Sequence, residues 1–537
     1  ARFEDRGAVK FGDWGEGGRF DARQAREGEM NKREYPNVRD LWEERAALWA
    51  DREFLVHEDP DTSKVERYTY ARMDREMKAV ASMFASLGVE AGDRVGLHMC
   101  NRPEFVECFL ALAAIGGVAV PIGPASTAAE CALVVEECDI RLLVSEFPED
   151  AAHLEGVDAV CLDDGNYEAK KADRMGTPPP RPAIRPSDLL EIMYTSGTTS
   201  RPKGVMFTHA NAVFSGKYGV WELTLTEADR YLTTMSVTHV NLQLSALMPA
   251  IYAGAALILV RRYSASRMWS QVRGYRATVI QAMAMIVKTL MTQPVVSDER
   301  DHSVRAVHYF LPLPKGIKEA FEERYRVRLL NNYGSTETLV GVVSDLPDGR
   351  SKWPSIGLAG PGYDVRIAGE SGCVLPAGEQ GEIQVRGEVG VSLMAGYWRN
   401  EQATRAAFTN DGWFRTGDCG YADAEGWLYF VDRMGDIVKR AGENISACEV
   451  EVAILEHPDV ADVAVLGISD SIRDEAVKAV VVPKRGHRLT AEDIRGFLSL
   501  RLSFFKIPSV IEFRDELPRG EYGKVLKSQL KTQKSTI

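Results

Sequence analysis

Residues 194–204, YTSGTTSRPKG, place five Ser/Thr hydroxyls, two glycines and one lysine directly after an apolar run. Glycines let backbone N–H groups approach phosphate oxygens, hydroxyls add donors, and Lys203 adds positive charge. The chemistry this predicts is a grip on phosphate. It is not the Walker loop, because G-x-x-x-x-G-K-[ST] is absent, and by composition alone a polar surface turn would read the same way. Four more islands combine turn formers with chemistry-bearing side chains: 332–338 (NYGSTET), 412–418 (GWFRTGD), 432–443 (DRMGDIVKRAGE) and 518–527 (PRGEYGKVLK). The eight cysteines are scattered without any C-x-x-C, which predicts reduced, mostly buried thiols and neither a disulfide frame nor a zinc site.

Elements must carry these islands. The chain has 537 residues, too many for one ordinary core, with 45% apolar and 26% charged residues and a net charge of −12. No basic domain or stripe stands out, which argues against nucleic acid as a partner. From residue 94 strands and helices alternate. Strands are expected at 94–99, 118–122, 141–145, 189–195, 231–236, 255–260, 278–281 and 307–311, and helices at 102–115, 127–138 and 211–221. Such βαβ rhythm predicts largely parallel sheets buried on both faces. Two uncharged runs, 108–125 and 241–260, are long enough to raise a membrane question. Gly116, Gly117 and Pro121 break the first, and Pro249 and Gly254 the second. A buried helix turning into a buried strand is therefore expected, with no membrane insertion. The Pro-rich stretch 178–186 reads as a surface loop. Residues 1–33 are polar, lack the apolar core of a signal peptide, and read as a loosely ordered start of a cytoplasmic protein. Beyond Gly357 shorter antiparallel strands are expected (382–386, 426–431). The charged, turn-prone segment 432–444 follows, and then a compact α+β segment: helices 448–457 and 491–500, and strands 460–467, 475–482 and 510–513.

In their order, the five islands resemble the adenylate-forming superfamily of acyl-CoA synthetases, luciferases and peptide-synthetase adenylation domains, over about residues 40 to 530. SGTTSRPKGVMFTHAN, KTLMTQP, KWPSIG and GISDSIRDEA are most similar in texture to crotonobetaine/carnitine–CoA ligases. The resemblance implies an α/β adenylate-forming fold: a large N-terminal core of layered sheets and helices (1–434), and a small mobile α+β lid (435–537) pivoting near Gly435 and Asp436. The implied activity is activation of a carboxylic acid by ATP and Mg2+ to an acyl-adenylate, with release of pyrophosphate and transfer to coenzyme A. An amine acceptor, giving an amide, is the first alternative, and a non-catalytic acyl or nucleotide sensor the second. Oligomeric state is not legible.

The resemblance also implies roles. Thr195, Ser196, Gly197, Thr198, Thr199 and Lys203 grip phosphates. Glu337 holds Mg2+, as a hard cation bridging phosphates wants one or two carboxylates. Thr336 touches the α-phosphate, Tyr333 stacks on adenine and Asn332 lies near its amine. Asp418 takes the ribose diol, because a carboxylate accepts two hydroxyl donors well, and Arg433 reaches ribose or phosphate. Lys524 is the adenylation lysine, which steadies charge where it builds, and Gly442 lines the pantetheine tunnel. His239 sits at the acid pocket, with Asn241, Leu242, Gln243, Met283, Ala284 and Gly334 along its walls. The chain departs from the pattern in three places: LPLP (311–314) stands where the adenine floor is usually Gly-Ala-Pro, Gly435 replaces a charged hinge residue, and Thr238 replaces an aromatic. With no fixed negative charge near His239, a small neutral acid is expected in preference to a betaine.

Overall fold

The computed structural model describes residues 34–531 except 127, 152–153, 155, 196–201, 311–312, 340, 434–435, 441–442, 471–473, 503 and 520–524. The expected loose start at 1–33 lies outside the described residues. The first large sheet has seven strands. In spatial order they are Gly396–Tyr397, Lys203–Thr208, Leu189–Thr195, Val118–Ile122, Arg94–His98, Leu142–Ser145 and Asp158–Cys161. The last five run parallel, while the first two pair antiparallel. The second sheet has nine strands, with six parallel members between Leu329–Tyr333 and Glu53–Asp59 and antiparallel strands at both edges. The parallel strands are apolar along their length because both faces are covered. Val118–Ile122 and Ala256–Val260 are buried at every position.

Both uncharged runs are what their breakers predict. Helix Pro103–Ile115 ends at Gly116, which is left-handed at φ 75°, and the chain turns into strand Val118–Ile122. The second run makes the turn Gln243–Leu247, helix Met248–Ala253 and strand Ala256–Val260. No helix among the described residues is long and apolar enough to cross a membrane.

Helix His209–Leu223 organises the layer that touches both sheets. Thr208 caps it in a reciprocal box with Asn211, satisfying N–H groups that the first turn leaves open. The Asn211 amide also donates to the carbonyls of Val391 and Leu393, both at 2.8 Å. Gly219 lets Pro249 come so close that a Cβ there would sit 2.4 Å from its ring, so this helix and Met248–Ala253 pack backbone to backbone.

Strands Asp364–Ala368, Gly381–Arg386, Phe414–Ala422 and Leu428–Arg433 form the expected antiparallel sheet. The C-terminal α+β part has its own five-stranded sheet and a core that includes Val438, Val450, Ile454, Val481 and Leu498. Two elements differ from expectation. Within the stretch expected to be charged and turn-prone, strands Ile437–Arg440 and Glu443–Ser446 pair antiparallel. The antiparallel pair Glu53–Asp59 and Lys64–Thr69 precedes the first expected strand; Lys64–Thr69 is an edge strand with mostly polar residues and carries no apolar run.

His209, fully buried, accepts the Val38 N–H through Nδ1 at 3.3 Å, tying helix Val38–Leu48 to the start of the central helix. Burial pushes its pKa down to about 4, despite Asp188 nearby. The folded state therefore holds neutral imidazole, while the unfolded chain protonates near pH 6.5. Its contribution is full above that pH and is lost as pH falls towards 4. Between pH 7 and pH 5 this one group should remove about 2 kcal/mol of stability. Urea midpoints of wild type and His209→Gln at both pH values check this: the variant should lose measurably less.

Candidate active site

The residues that flank the expected phosphate loop lie on paired strands. Strands Leu189–Thr195 and Lys203–Thr208 pair antiparallel with Thr195 opposite Lys203, and Thr195 Oγ1 donates to the Lys203 carbonyl at 3.5 Å. Ser196, Gly197, Thr198 and Thr199 lie outside the described residues. The two-residue strand Gly396–Tyr397 pairs with the outer edge of Lys203–Thr208. This sets Tyr397 beside Lys203, whose Nζ lies 4.8 Å from the ring centre. The Tyr397 hydroxyl donates to Glu337 Oε1 at 2.9 Å, and burial followed by Glu337 keeps the phenol neutral by raising its pKa. Glu337 is half-exposed in the short turn Thr336–Thr338, and its carbonyl accepts the Met394 N–H at 2.9 Å. Lys203 and Glu337 are thus drawn to one place, with Thr336 next to Glu337 in its turn. Tyr397, which joins them, carries no sequence signal beyond an aromatic in the stretch GYWRN.

A second cluster lies where strand Leu329–Tyr333 approaches the antiparallel sheet. The Tyr333 hydroxyl donates to Asp418 Oδ2 at 2.7 Å, and Arg433 Nε lies 3.2 Å from Asp418 Oδ1. Asp418 and Arg433 are register partners across their strands. Asp418 is buried whereas Arg433 is exposed. Gly334, just past the strand, is exposed. Asn332 points elsewhere: its Nδ2 donates to Glu222 Oε1 at 2.5 Å and lies 3.1 Å from His308 Nε2. Successive strand residues face opposite ways, so Asn332 and Tyr333 do not serve one surface. Leu313 of the LPLP stretch is buried; 311–312 lie outside the described residues.

His239 caps the helical turn Val240–Leu242, its Nδ1 accepting the Asn241 N–H at 3.0 Å. Burial of the ring pushes its pKa down to about 4, so it is neutral near pH 7. Three buried amides fix this turn. Asn101 Oδ1 accepts the Val237 N–H at 2.8 Å, Gln243 donates to the Val237 carbonyl at 2.7 Å, and Gln281 donates to the Asn241 carbonyl at 2.6 Å. Leu242 and Gln243 are buried, and Met283 and Ala284 stand half-buried at the junction of strand Val279–Met283 with the next helix.

Beyond the turn, Phe214, Tyr218, Glu222, Leu339 and Tyr363 line a narrow crevice of about 10 Å3, room for about one water molecule as the side chains stand. The three rings lie within 6.0 Å of one another. Gly341 and Gly360 make room for Tyr218, since a Cβ at either would fall 2.3 Å or less from its ring or hydroxyl. Glu222 is 2% exposed, held by Asn332 and with His308 Nε2 at 3.3 Å. Burial, and then Glu222, raise the phenol pKa of Tyr218, and the same holds for Tyr363, so both stay neutral. The acidic side chain that is missing around Thr238, His239 and Asn241 is therefore present, contributed by the central helix, with His308 beside it. The period of that helix could have revealed it: Phe214, Tyr218 and Glu222 are spaced i, i+4, i+8 on one face.

At the base of the C-terminal part, Asp432 Oδ2 accepts the Cys448 N–H at 2.9 Å, and Lys527 pairs with Glu451 at 2.9 Å. The Asp436 N–H donates to the Arg433 carbonyl at 2.8 Å. Gly435, Gly442 and Lys524 lie outside the described residues.

Residues 42–398 match the AMP-binding enzyme family, and residues 449–524 match the AMP-binding enzyme C-terminal domain. The chain belongs to the AMP-binding enzyme family. It is 40% identical over 511 residues to crotonobetaine/carnitine–CoA ligase of Salmonella paratyphi C, covering 92% of this chain and 99% of that protein. The Salmonella typhi enzyme of the same name is 39% identical over 513 residues, with the same coverage. Among solved structures, o-succinylbenzoate CoA synthetase of Bacillus subtilis with its acyl-adenylate aligns at TM-score 0.83 and 28% identity, covering 93% of this chain and 99% of that one. An anthranilate CoA ligase in complex with anthranoyl-AMP aligns at 0.83 and 25%, covering 92% and 96%. This AMP-binding enzyme has the adenylate-forming fold, with a large N-terminal and a small C-terminal domain, and is an ATP-dependent, AMP-forming ligase of the acyl-CoA synthetase type. ATP, Mg2+ and coenzyme A belong to that activity. The amide-forming and sensor alternatives are not favoured.

Tyr397→Phe removes one hydrogen bond to a carboxylate, an interaction of about 1.5–3 kcal/mol. If Glu337 acts in adenylation, ATP–pyrophosphate exchange should fall roughly 10-fold or more, with the thermal midpoint little changed. An unchanged exchange rate would reduce Tyr397 to packing.

Proposed function

We propose that this AMP-binding enzyme ligates to coenzyme A a small carboxylic acid that carries a permanent positive charge, a betaine-type acid. The observation behind this reading is Glu222, a buried carboxylate at a crevice walled by Phe214, Tyr218 and Tyr363. A quaternary ammonium donates no hydrogen bond. It wants negative charge and aromatic faces, and it is costly to bury without them. Asn332 is a neutral donor that orients the Glu222 carboxyl through one oxygen, with His308 beside the other. The relatives named for crotonobetaine and carnitine, both trimethylammonium acids, support the same class. The neutral acid expected from Thr238, His239 and Asn241 gives way to this reading, because that expectation did not include the central helix.

The site roles belong to the proposal. Thr195, residues 196–199 and Lys203 hold phosphates, and Thr336 serves the α-phosphate. Asp418, with Tyr333 and Arg433 fastened to it, takes the ribose. Tyr333 stacks on adenine, while Asn332 serves the acid side through Glu222. Glu337 fits Mg2+: it is half-exposed, and the neutral Tyr397 hydroxyl engages only one of its oxygens. Bound there, Mg2+ offsets phosphate charge. Neutral His239 stands at the acid carboxylate without adding a proton of its own. Lys524 drives adenylation, and Gly442 lines the route of pantetheine. The lid begins at 435, between the two matched family segments. All eight cysteines are free thiols, which supports a reducing, cytoplasmic setting.

The test compares kcat/KM for a trimethylammonium acid with its neutral tert-butyl isostere. The cationic acid should lead by roughly 100-fold. Glu222→Gln should remove most of that lead while changing the neutral isostere less than about 3-fold. An isostere that does as well in wild type sinks the acid assignment and leaves the ligase reading intact.

Lys524→Ala should slow adenylate formation by roughly 100-fold or more. Thioester formation from preformed adenylate should continue, because the charge acts only in the first transition state. Equal loss in both half-reactions, measured by exchange and by single-turnover CoA transfer, would point to a folding role.

A further inference from the structure

Glu191, on strand Leu189–Thr195, has no part in the reaction described so far. It lies in the interior of the seven-stranded sheet, opposite Phe207 on one side and Ala119 on the other. It is 0% exposed, and neither carboxylate oxygen receives a donor in good hydrogen-bond geometry. No opposite charge answers it. The neighbouring strand Val118–Ile122 and the turn Gln243–Leu247 have no ionisable residue. Strand Lys203–Thr208 has only Lys203, at the phosphate-loop end. On its own strand, Tyr194 points to the other face and donates to Glu137. The central helix contributes His209, Lys217, Tyr218 and Glu222. None of these acts on the Glu191 carboxyl, and the Gln243 amide is the polar group close enough to do so. An ionised carboxylate left alone in such surroundings neutralises itself by taking up a proton. Burial accordingly raises the Glu191 pKa to about 8.

Gln243 has the complementary lack. Its Nε2 is committed to the Val237 carbonyl at 2.7 Å, while its Oε1 is buried with no donor. Val237 is two residues before His239, so Gln243 is one of the ties that hold the His239 turn. A protonated carboxyl can both donate and accept, whereas an ionised one only accepts and would leave Gln243 Oε1 against a second acceptor.

We propose that Glu191 is a positioning residue that keeps a proton in the folded enzyme and, through Gln243, holds the His239 turn in the geometry that receives the acid. The consequence is an alkaline limit on use of the acid, set by a group that never touches it. This rests on reading the His239 turn as the seat of the acid carboxylate.

The experiment has two arms. In the first, kcat/KM for the acid is followed from pH 6.5 to 9.5 in wild type, Glu191→Gln and Glu191→Leu. Wild type should fall along a limb with midpoint near 8. Glu191→Gln, uncharged at every pH yet able to donate and accept, should stay within about 3-fold of wild type at pH 7 and lose that limb. Glu191→Leu should lower kcat/KM for the acid about 10-fold at all pH values, with KM for ATP within about 2-fold, as expected for losing one buried tie. A limb unchanged in Glu191→Gln overturns the proposal. The second arm needs no assumption about the acid. The infrared carbonyl band of a protonated carboxylic acid should be present in wild type at pH 7 and missing in Glu191→Gln. Identical spectra overturn the proposal even if a variant folds poorly enough to cloud the kinetics, while a band difference with unaltered acid kinetics would overturn the link to His239.

Discussion

A carboxylate taken out of water must find a donor, a cation or a proton, because alone it is too costly to keep. Four acidic side chains in this enzyme meet that requirement in four ways, and the working surfaces follow from the answers. Asp418 has a phenol and a guanidinium, Tyr333 and Arg433. Glu337 has a phenol alone, Tyr397, and remains half-open to solvent. Glu222 has the neutral amide of Asn332 with His308 beside it. Glu191 receives no donor in good geometry and has only the Gln243 amide close by. The graded supply of partners sets the interior of the first sheet, where Glu191 has none of these, apart from the faces proposed for phosphate, ribose and the acid tail.

The central helix is the part that makes these surfaces share one frame. Its first turn is locked by Thr208 and Asn211, and Asn211 is locked in turn to the Val391 and Leu393 carbonyls. Its middle is pressed onto the neighbouring helix at Gly219. Its last turns carry Tyr218 and Glu222 to the crevice, where Asn332 meets them from the second sheet. The residue after Asn332, Tyr333, reaches Asp418. Two consecutive side chains of one strand therefore face two different clusters, at a separation that the strand backbone fixes.

The sequence made the local chemistry legible because that chemistry is local. The expected phosphate loop, the Glu337 turn and the Asp418 strand each carry their glycines and hydroxyls within a few residues. Most of the alternating strands and helices were legible for the same reason, since a strand buried on both faces is apolar throughout. What escaped reading depends on contacts far apart in the chain. Tyr397 acquires meaning only when its two-residue strand is laid against Lys203–Thr208. Glu222 looks like one more helical acid until its helix face is known. Asn332 and Tyr333 were assigned to one surface although strand pleating sends them to opposite ones. Strand Lys64–Thr69 escaped for a simpler reason: an edge position tolerates polar residues, so it leaves no apolar run.

The segment 394–397 does two jobs at once. Through Met206 and Val205 it is the last strand of the first sheet. Through the Met394 N–H and the Tyr397 hydroxyl it also grips Glu337 by backbone and by side chain, and Glu337 follows directly on the Tyr333 strand of the second sheet. The proposed metal-holding carboxylate is thus pinned to both sheets and has no slack of its own. A small shear of one sheet against the other would register there first, as a displaced oxygen, before any hydrophobic contact between the layers was lost. In mechanical terms Glu337 sits like a strain gauge bonded across a joint, and the stiffness of the whole N-terminal body sets how steadily one oxygen can be presented to a phosphate-bound cation.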